Sequence, residues 1–255
     1  MTDEKRIAAL YELGAAEADI ADLLGYVRNA FKQSPDPWDD DTSPAWDNMW
    51  EKIQGLCVRK PQLEMYESAA GLIPIVYPAD VADFHTLLRE IVYKNKEMPP
   101  TENMGAQFLH GKTLRFIILS DKPYSGIPAA SLGLDEALWR EKSLLIRKMH
   151  ECSHYYTKRY LGSARNNLHD ELIADFCGLF AAFGQYEPAH FIRFFTARAV
   201  IYTGDLSAAA AQVVSRLAQL AASGVEAWSK SDEFIRLSEV ERIECLAARE
   251  LLTYV

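Results

Sequence analysis

The sequence predicts an α+β fold dominated by helices, with a small sheet ahead of one long helix and a helical C-terminal half. Three observations carry that expectation. Apolar residues recur at helical spacing through most of the chain, and capping residues mark the helix boundaries after Asp135. The run Thr113 to Ser120 is short, apolar and bounded by Gly111 and Pro123, which is strand chemistry. With 255 residues, 49% of them apolar, the chain can bury a sizeable core without staples.

Residues 3–33 hold two helical patterns separated at Gly14, with Ile20, Leu23, Leu24, Val27 and Phe31 forming an apolar stripe. Residues 34–44 combine prolines with an acidic run. That is loop chemistry, and it predicts a boundary between N-terminal helices in 1–44 and a main domain in 45–255. Residues 45–56 and 61–71 read as short helices, Ile73 to Tyr77 as a second strand, and Asp80 to Lys96 as a longer helix ended by Pro99-Pro100. Thr113 to Ser120 is the strongest strand.

Asp135 then caps a helix running to Tyr160, with Gly162 as its left-handed terminator. The next helix starts after Asn167 and ends at Gly184, and Pro188 opens a third that ends near Gly204. Two more helices follow, one from Ser207 to Ala222 and one opened by the Ser238–Glu241 capping box.

Composition excludes several function classes. A formal net charge of −9 with scattered Lys and Arg argues against nucleic-acid binding. Cys57, Cys152, Cys177 and Cys245 form no CxxC pair, so they read as reduced thiols. The charged N-terminus lacks a secretory pattern and no apolar run is long enough to cross a bilayer, so a cytoplasmic location away from membranes is expected.

The chemistry concentrates at His150-Glu151-Cys152-Ser153-His154. Residues four apart on a helix share a face, so the two imidazoles of this HExxH motif converge on one metal ion. Glu151 sits beside them, placed to take a proton from metal-activated water. A tetrahedral catalytic site needs a third protein ligand, and Glu171, 17 residues beyond His154, opens the next helix. Asp175 lies on the same face as Glu171. Zinc suits this donor set, although iron, cobalt and manganese also accept it.

HExxH followed by Glu171-Leu172-Ile173-Ala174-Asp175 resembles the gluzincin pattern of thermolysin-like zinc peptidases, over about residues 140–184. The resemblance implies a zincin-like fold, zinc held by His150, His154 and Glu171, and Glu151 as general base. It also implies Asp175 as the carboxylate that orients His150 through its other ring nitrogen. The link between the ligand helices is shorter than in thermolysin, and no counterpart of the downstream oxyanion donor is evident. Tyr155, Tyr156, Tyr160, His169, His190 and Tyr202 are candidates for that role, and Tyr202 is the choice. By the same resemblance, Thr113 to Ser120 serves as the sheet edge that binds an extended peptide.

The remaining residues read as structural. Cys152 and Cys177 are core thiols, His85 and His110 are surface or satisfied histidines, and Arg165 suits an ion pair with Asp170 or another acid better than the alternative, a bidentate hold on a substrate carboxylate. The expected function is zinc-dependent hydrolysis of peptide or protein substrates. The alternatives are hydrolysis of a non-peptide substrate, or a non-catalytic helical interaction protein with a structural or relic metal site.

Overall fold

Strands β1 (Gln62–Ser68), β2 (Gly71–Tyr77), β3 (Ala106–His110) and β4 (Arg115–Leu119) form a sheet of order β1-β2-β4-β3. The computed structural model describes residues 1–31, 43–98, 101, 104–111, 113–163, 165 and 167–255. β1 and β2 make an antiparallel hairpin pairing Ser68 with Gly71, and Gly71 takes a φ of +98° that other residues adopt at a cost. β2 runs parallel to β4, and β3 antiparallel to it. All five residues of β4 are buried, as its Arg-Phe-Ile-Ile-Leu sequence requires of a strand covered on both faces.

Side-chain alternation assigns the two faces. Phe116 and Ile118 of β4, with Val76 of β2, pack against Trp46 and Ile53 of α3 (Ser43–Leu56) and Phe84 and Leu87 of α4 (Val81–Leu87). The opposite face receives α5 (Glu136–Leu161): Tyr155 meets Phe108 at 5.7 Å between ring centroids, and Lys148 pairs with Glu64 at 2.5 Å. Asp135 caps α5 by accepting from the Leu138 amide, and Gly162 ends it in the left-handed conformation. These elements belong to one contact unit, Gln33–Gly162.

The second unit comprises Met1–Lys32 and Ser163–Val255. It contains α1 (Asp3–Glu12), α2 (Ile20–Val27), α6 (Leu168–Phe183), α7 (Pro188–Thr203), α8 (Ala208–Ser229), α9 (Asp232–Arg236) and α10 (Glu239–Ala248). Phe176 is central, with Tyr186, Trp228 and Phe234 rings within 5.9 Å of its own. Specific bonds tie the N-terminal helices to the C-terminal ones. Tyr26 Oη accepts from the Leu168 amide (2.9 Å), Asn29 donates to the Ala247 carbonyl (2.7 Å), and Arg216 donates to the Leu13 carbonyl (2.7 Å).

The architecture is the predominantly helical α+β arrangement expected. The helix predicted over 61–71 is instead β1 and its turn: Glu64 and Tyr66 face α5 while Leu63 and Met65 are exposed, an alternation with period two. The helix predicted from Asp80 to Lys96 is α4 followed by a π-helical turn, Leu88–Val92, and left-handed Lys94 and Asn95. β3 was not foreseen. β4 is an inner strand, paired on both sides, and therefore not the peptide-binding edge that the resemblance implied. The acidic proline-rich linker lies outside the described residues apart from the start of α3, and contacts group the N-terminal helices with residues 163–255. No helix among the described residues is long and apolar enough to cross a membrane.

Candidate metal centre

Helical geometry sets the first half of the site. His150 and His154 lie one turn apart on α5, both buried, with their Nε2 atoms 3.0 Å apart. Tyr124, in the turn after β4, brings its Oη to 2.9 Å from His150 Nδ1. That turn is fastened to α5 by the Tyr124 amide, which donates to Ser143 Oγ, and by Arg147, which donates to the Ser120 carbonyl. Ser125 beside it sits at φ +54°, in the left-handed region that side chains disfavour. When Nδ1–H donates to Tyr124 Oη, Nε2 keeps its lone pair for a metal.

The second half is built on α6. Asn167 caps this helix by accepting from the His169 and Asp170 amides, and the acids of the first turn gain from the helix dipole. Glu171 is 1% exposed and Asp175 0%, so both carboxylates need strong partners. Arg198 of α7 supplies one: its Nη2 lies 2.6 Å from Asp175 Oδ2 and its Nη1 3.4 Å from Glu171 Oε2.

His150, His154 and Glu171 are all buried, and one ligand atom from each lies within 4.8 Å of the others. Zinc–ligand bonds of about 2.05 Å at tetrahedral angles separate ligand atoms by about 3.3 Å. The 3.0 Å between the imidazole nitrogens is near that value. Two imidazoles and a carboxylate form a borderline donor set that suits zinc. The residues present therefore fit the ion.

Glu151 is partly exposed on α5, and its carboxylate has no hydrogen-bond or ion-pair partner among the described residues. Tyr202 is buried on α7, stacked on Phe195 and with the Arg198 guanidinium 5.1 Å above its ring. His169 donates Nε2–H to the Leu246 carbonyl (3.0 Å), and burial pushes its pKa down to about 4, so it serves as a neutral tie between α6 and α10. His190 stacks on Phe183, Tyr156 meets Tyr160 at a tilt, and the Tyr155 hydroxyl accepts from Arg159. Arg165 reaches Asp170 through its backbone amide (2.8 Å). Cys152 and Cys177 are buried free thiols, as expected of core residues. His85 lies 3.4 Å from Thr101, and burial lowers the pKa of His110 at the end of β3.

Sequence reasoning did not include Tyr124 and Arg198. Tyr124 occupies the His150 nitrogen for which the resemblance named Asp175, while Asp175 itself carries Arg198. A signal for Arg198 was present: it falls on the helical stripe Phe191, Phe194, Phe195 and Tyr202, where a charged residue demands a buried partner.

Fold and site together define a helix-rich α+β protein with a buried His-His-Glu group suited to a metal ion. The chain belongs to DUF7005, a family of unknown function, whose match covers residues 45–114 and 112–253 and so takes in all three of these residues. No curated protein and no solved structure matches it.

Proposed function

We propose that this protein is a zinc-dependent hydrolase of peptide bonds, with His150, His154 and Glu171 as ligands and Glu151 as general base. The observation that carries the reading is the convergence of three buried ligand atoms, with Glu151 next in sequence to His150 and its carboxylate without a hydrogen-bond or ion-pair partner among the described residues. His150, His154 and Glu171 would hold the zinc, which would supply Lewis acidity to water and to a substrate carbonyl. Glu151 receives the proton released and delivers it to the leaving amine. Tyr124 fixes the His150 ring, and Tyr202 remains the proposed donor to the developing oxyanion.

An extended substrate needs an open strand, and β3 offers one. The Ser120 amide donates to the Gly105 carbonyl and the Gly111 amide to the Leu114 carbonyl. Antiparallel alternation then turns the backbone groups of Gln107 and Leu109 toward β4 and those of Ala106, Phe108 and His110 outward. The Gln107 side chain donates to the Phe108 carbonyl (3.1 Å), as suits a carbonyl with no strand partner. Substrate main chain would add to this edge.

Near-complete burial of the three ligands also favours a second reading, a closed structural metal site without turnover. One experiment separates the two. Zinc content is measured for wild type, His154→Ala and Glu171→Ala, and peptide-library turnover for wild type and Glu151→Gln. The catalytic reading expects near-stoichiometric zinc that both ligand variants lose, with Glu151→Gln keeping the metal while turnover falls about 10²- to 10⁴-fold. Zinc without turnover supports the structural site, and wild type without zinc overturns both.

A further inference from the structure

We propose that the cavity at the carboxyl ends of β2 and β4 binds a small zwitterion with a large apolar side chain, the chemistry of an apolar amino acid. The inference is independent of the metal reading, because every lining residue falls between Lys60 and Leu144 and none is a proposed metal ligand.

The connections of the sheet open this cavity. β2 and β4 are adjacent and parallel, yet the chain leaves β2 for α4 on one face and leaves β4 for α5 on the other. Connections that part in this way leave a crevice beyond the strand ends, the usual place for ligands in open sheets. Here the crevice measures about 760 Å³, within the range of small-molecule pockets. Leu63, Pro78, Ala79, Leu119, Ala137 and Leu144 give it apolar walls.

The charged groups of the cavity divide into engaged and unengaged. Arg140 pairs with Asp121, and Glu64 is held by Lys148 and by the Tyr77 hydroxyl, which donates at 2.6 Å. Lys60, just before β1, and Glu141, on α5, also line the cavity. Neither has a hydrogen-bond or ion-pair partner among the described residues. One unengaged cation and one unengaged anion serve a plain acid or a plain amine poorly, because either ligand meets one attraction and one repulsion. A ligand carrying both signs meets two attractions. The apolar walls and the volume then favour a bulky apolar side chain, whose burial supplies most of the affinity.

The test is binding of three related probes, followed by nuclear magnetic resonance titration of the full chain in chelator: L-tryptophan, tryptamine, which has only the ammonium, and indole-3-propionate, which has only the carboxylate. L-tryptophan should bind with a dissociation constant on the order of 0.5 mM, ordinary for a ligand of its size, and shift the amides of Leu63, Ala79 and Leu119. Both single-charge probes should bind more weakly. Lys60→Gln and Glu141→Gln should each weaken L-tryptophan by about 2- to 5-fold, the scale of an exposed ion pair. Lys60→Gln should leave tryptamine no weaker, and Glu141→Gln should leave indole-3-propionate no weaker, which a merely structural effect would not reproduce. Ala137→Trp fills the cavity from an exposed position and should weaken L-tryptophan by about tenfold or more. Should that variant fail to fold by thermal melt, Ala79→Trp fills the cavity from the β2 side. L-tryptophan affinity within twofold of wild type in a folded filling variant overturns the cavity as the site. Tryptamine or indole-3-propionate binding as tightly as L-tryptophan overturns the zwitterion. No saturation by L-tryptophan up to about 5 mM overturns the whole proposal, while zinc content, measured separately, decides the metal reading on its own.

Discussion

Replacing Tyr124 with Phe removes one oxygen atom from a buried contact and keeps the ring that packs beside α5. Tyr124 and His150 are 4% and 5% exposed, with Oη 2.9 Å from Nδ1. In metal-free protein the loss is partly absorbed, because the imidazole can move its proton to Nε2 and donate to His154 Nε2, 3.0 Å away. Zinc held at Nε2, as proposed above, would forbid that escape and force the proton onto Nδ1, where the variant no longer offers the Tyr124 acceptor. A buried N–H deprived of its partner costs about 1–3 kcal/mol, and each 1.4 kcal/mol is about tenfold in affinity. The zinc dissociation constant should therefore rise about 5- to 150-fold.

Chelator competition reads this directly, and nitrogen chemical shifts of His150 report the tautomer. The expected pattern is weaker zinc binding, a metal-free Tm close to wild type, and an Nε2–H tautomer in the metal-free variant. A dissociation constant within twofold of wild type would refute the assignment of Tyr124 as the support of a ligand histidine.

Two further expectations concern stability. His169 has a folded pKa of about 4 against 6.5 for an exposed histidine, so between those values the unfolded chain binds more protons and stability falls on acidification. The full effect is about 3 kcal/mol, of which about 2 kcal/mol is lost on going from pH 7 to pH 5. Urea midpoints should decline over that range in wild type, and much less in His169→Gln, whose amide can still donate to Leu246. An equal decline in both would refute the assignment. Asp83, 2% exposed on α4, accepts from the Val58 and Arg59 amides at 2.8 and 3.2 Å and so pins the chain leaving α3. Asp83→Ala strands those donors, which water can partly reach, and should lower unfolding free energy by about 1–3 kcal/mol. A change below about 0.5 kcal/mol would show the loop to be held by other means.

What the sequence disclosed follows from where each signal resides. The boundaries of α5, α6 and α7 were legible because Asp135, Gly162, Asn167, Gly184 and Pro188 act within a few residues of themselves. β1 was misread because it is an edge strand whose exposed Leu63 and Met65 blur the polar–apolar alternation. The π-helical turn after α4 has no proline or glycine to announce it. At the site, His150 and His154 were legible from spacing on one helix. Tyr124 and Arg198 were not, because they reach His150 and Glu171 across sequence separations of 26 and 27, which only the fold closes.

The composition of the centre is costly for helices that only pack. α6 buries Asp170, Glu171 and Asp175 among Leu172, Ile173 and Phe176, and α7 buries Arg198 among phenylalanines. A buried ion network of this kind is often no more stable than apolar side chains of the same volume, since desolvation offsets the Coulombic gain. Two imidazole nitrogens held 3.0 Å apart add further polar burial. Helices that had only to pack would do as well with leucine at these positions. A bound divalent ion would change the balance, because it would satisfy both imidazoles and one carboxylate at once and convert binding free energy into folding free energy.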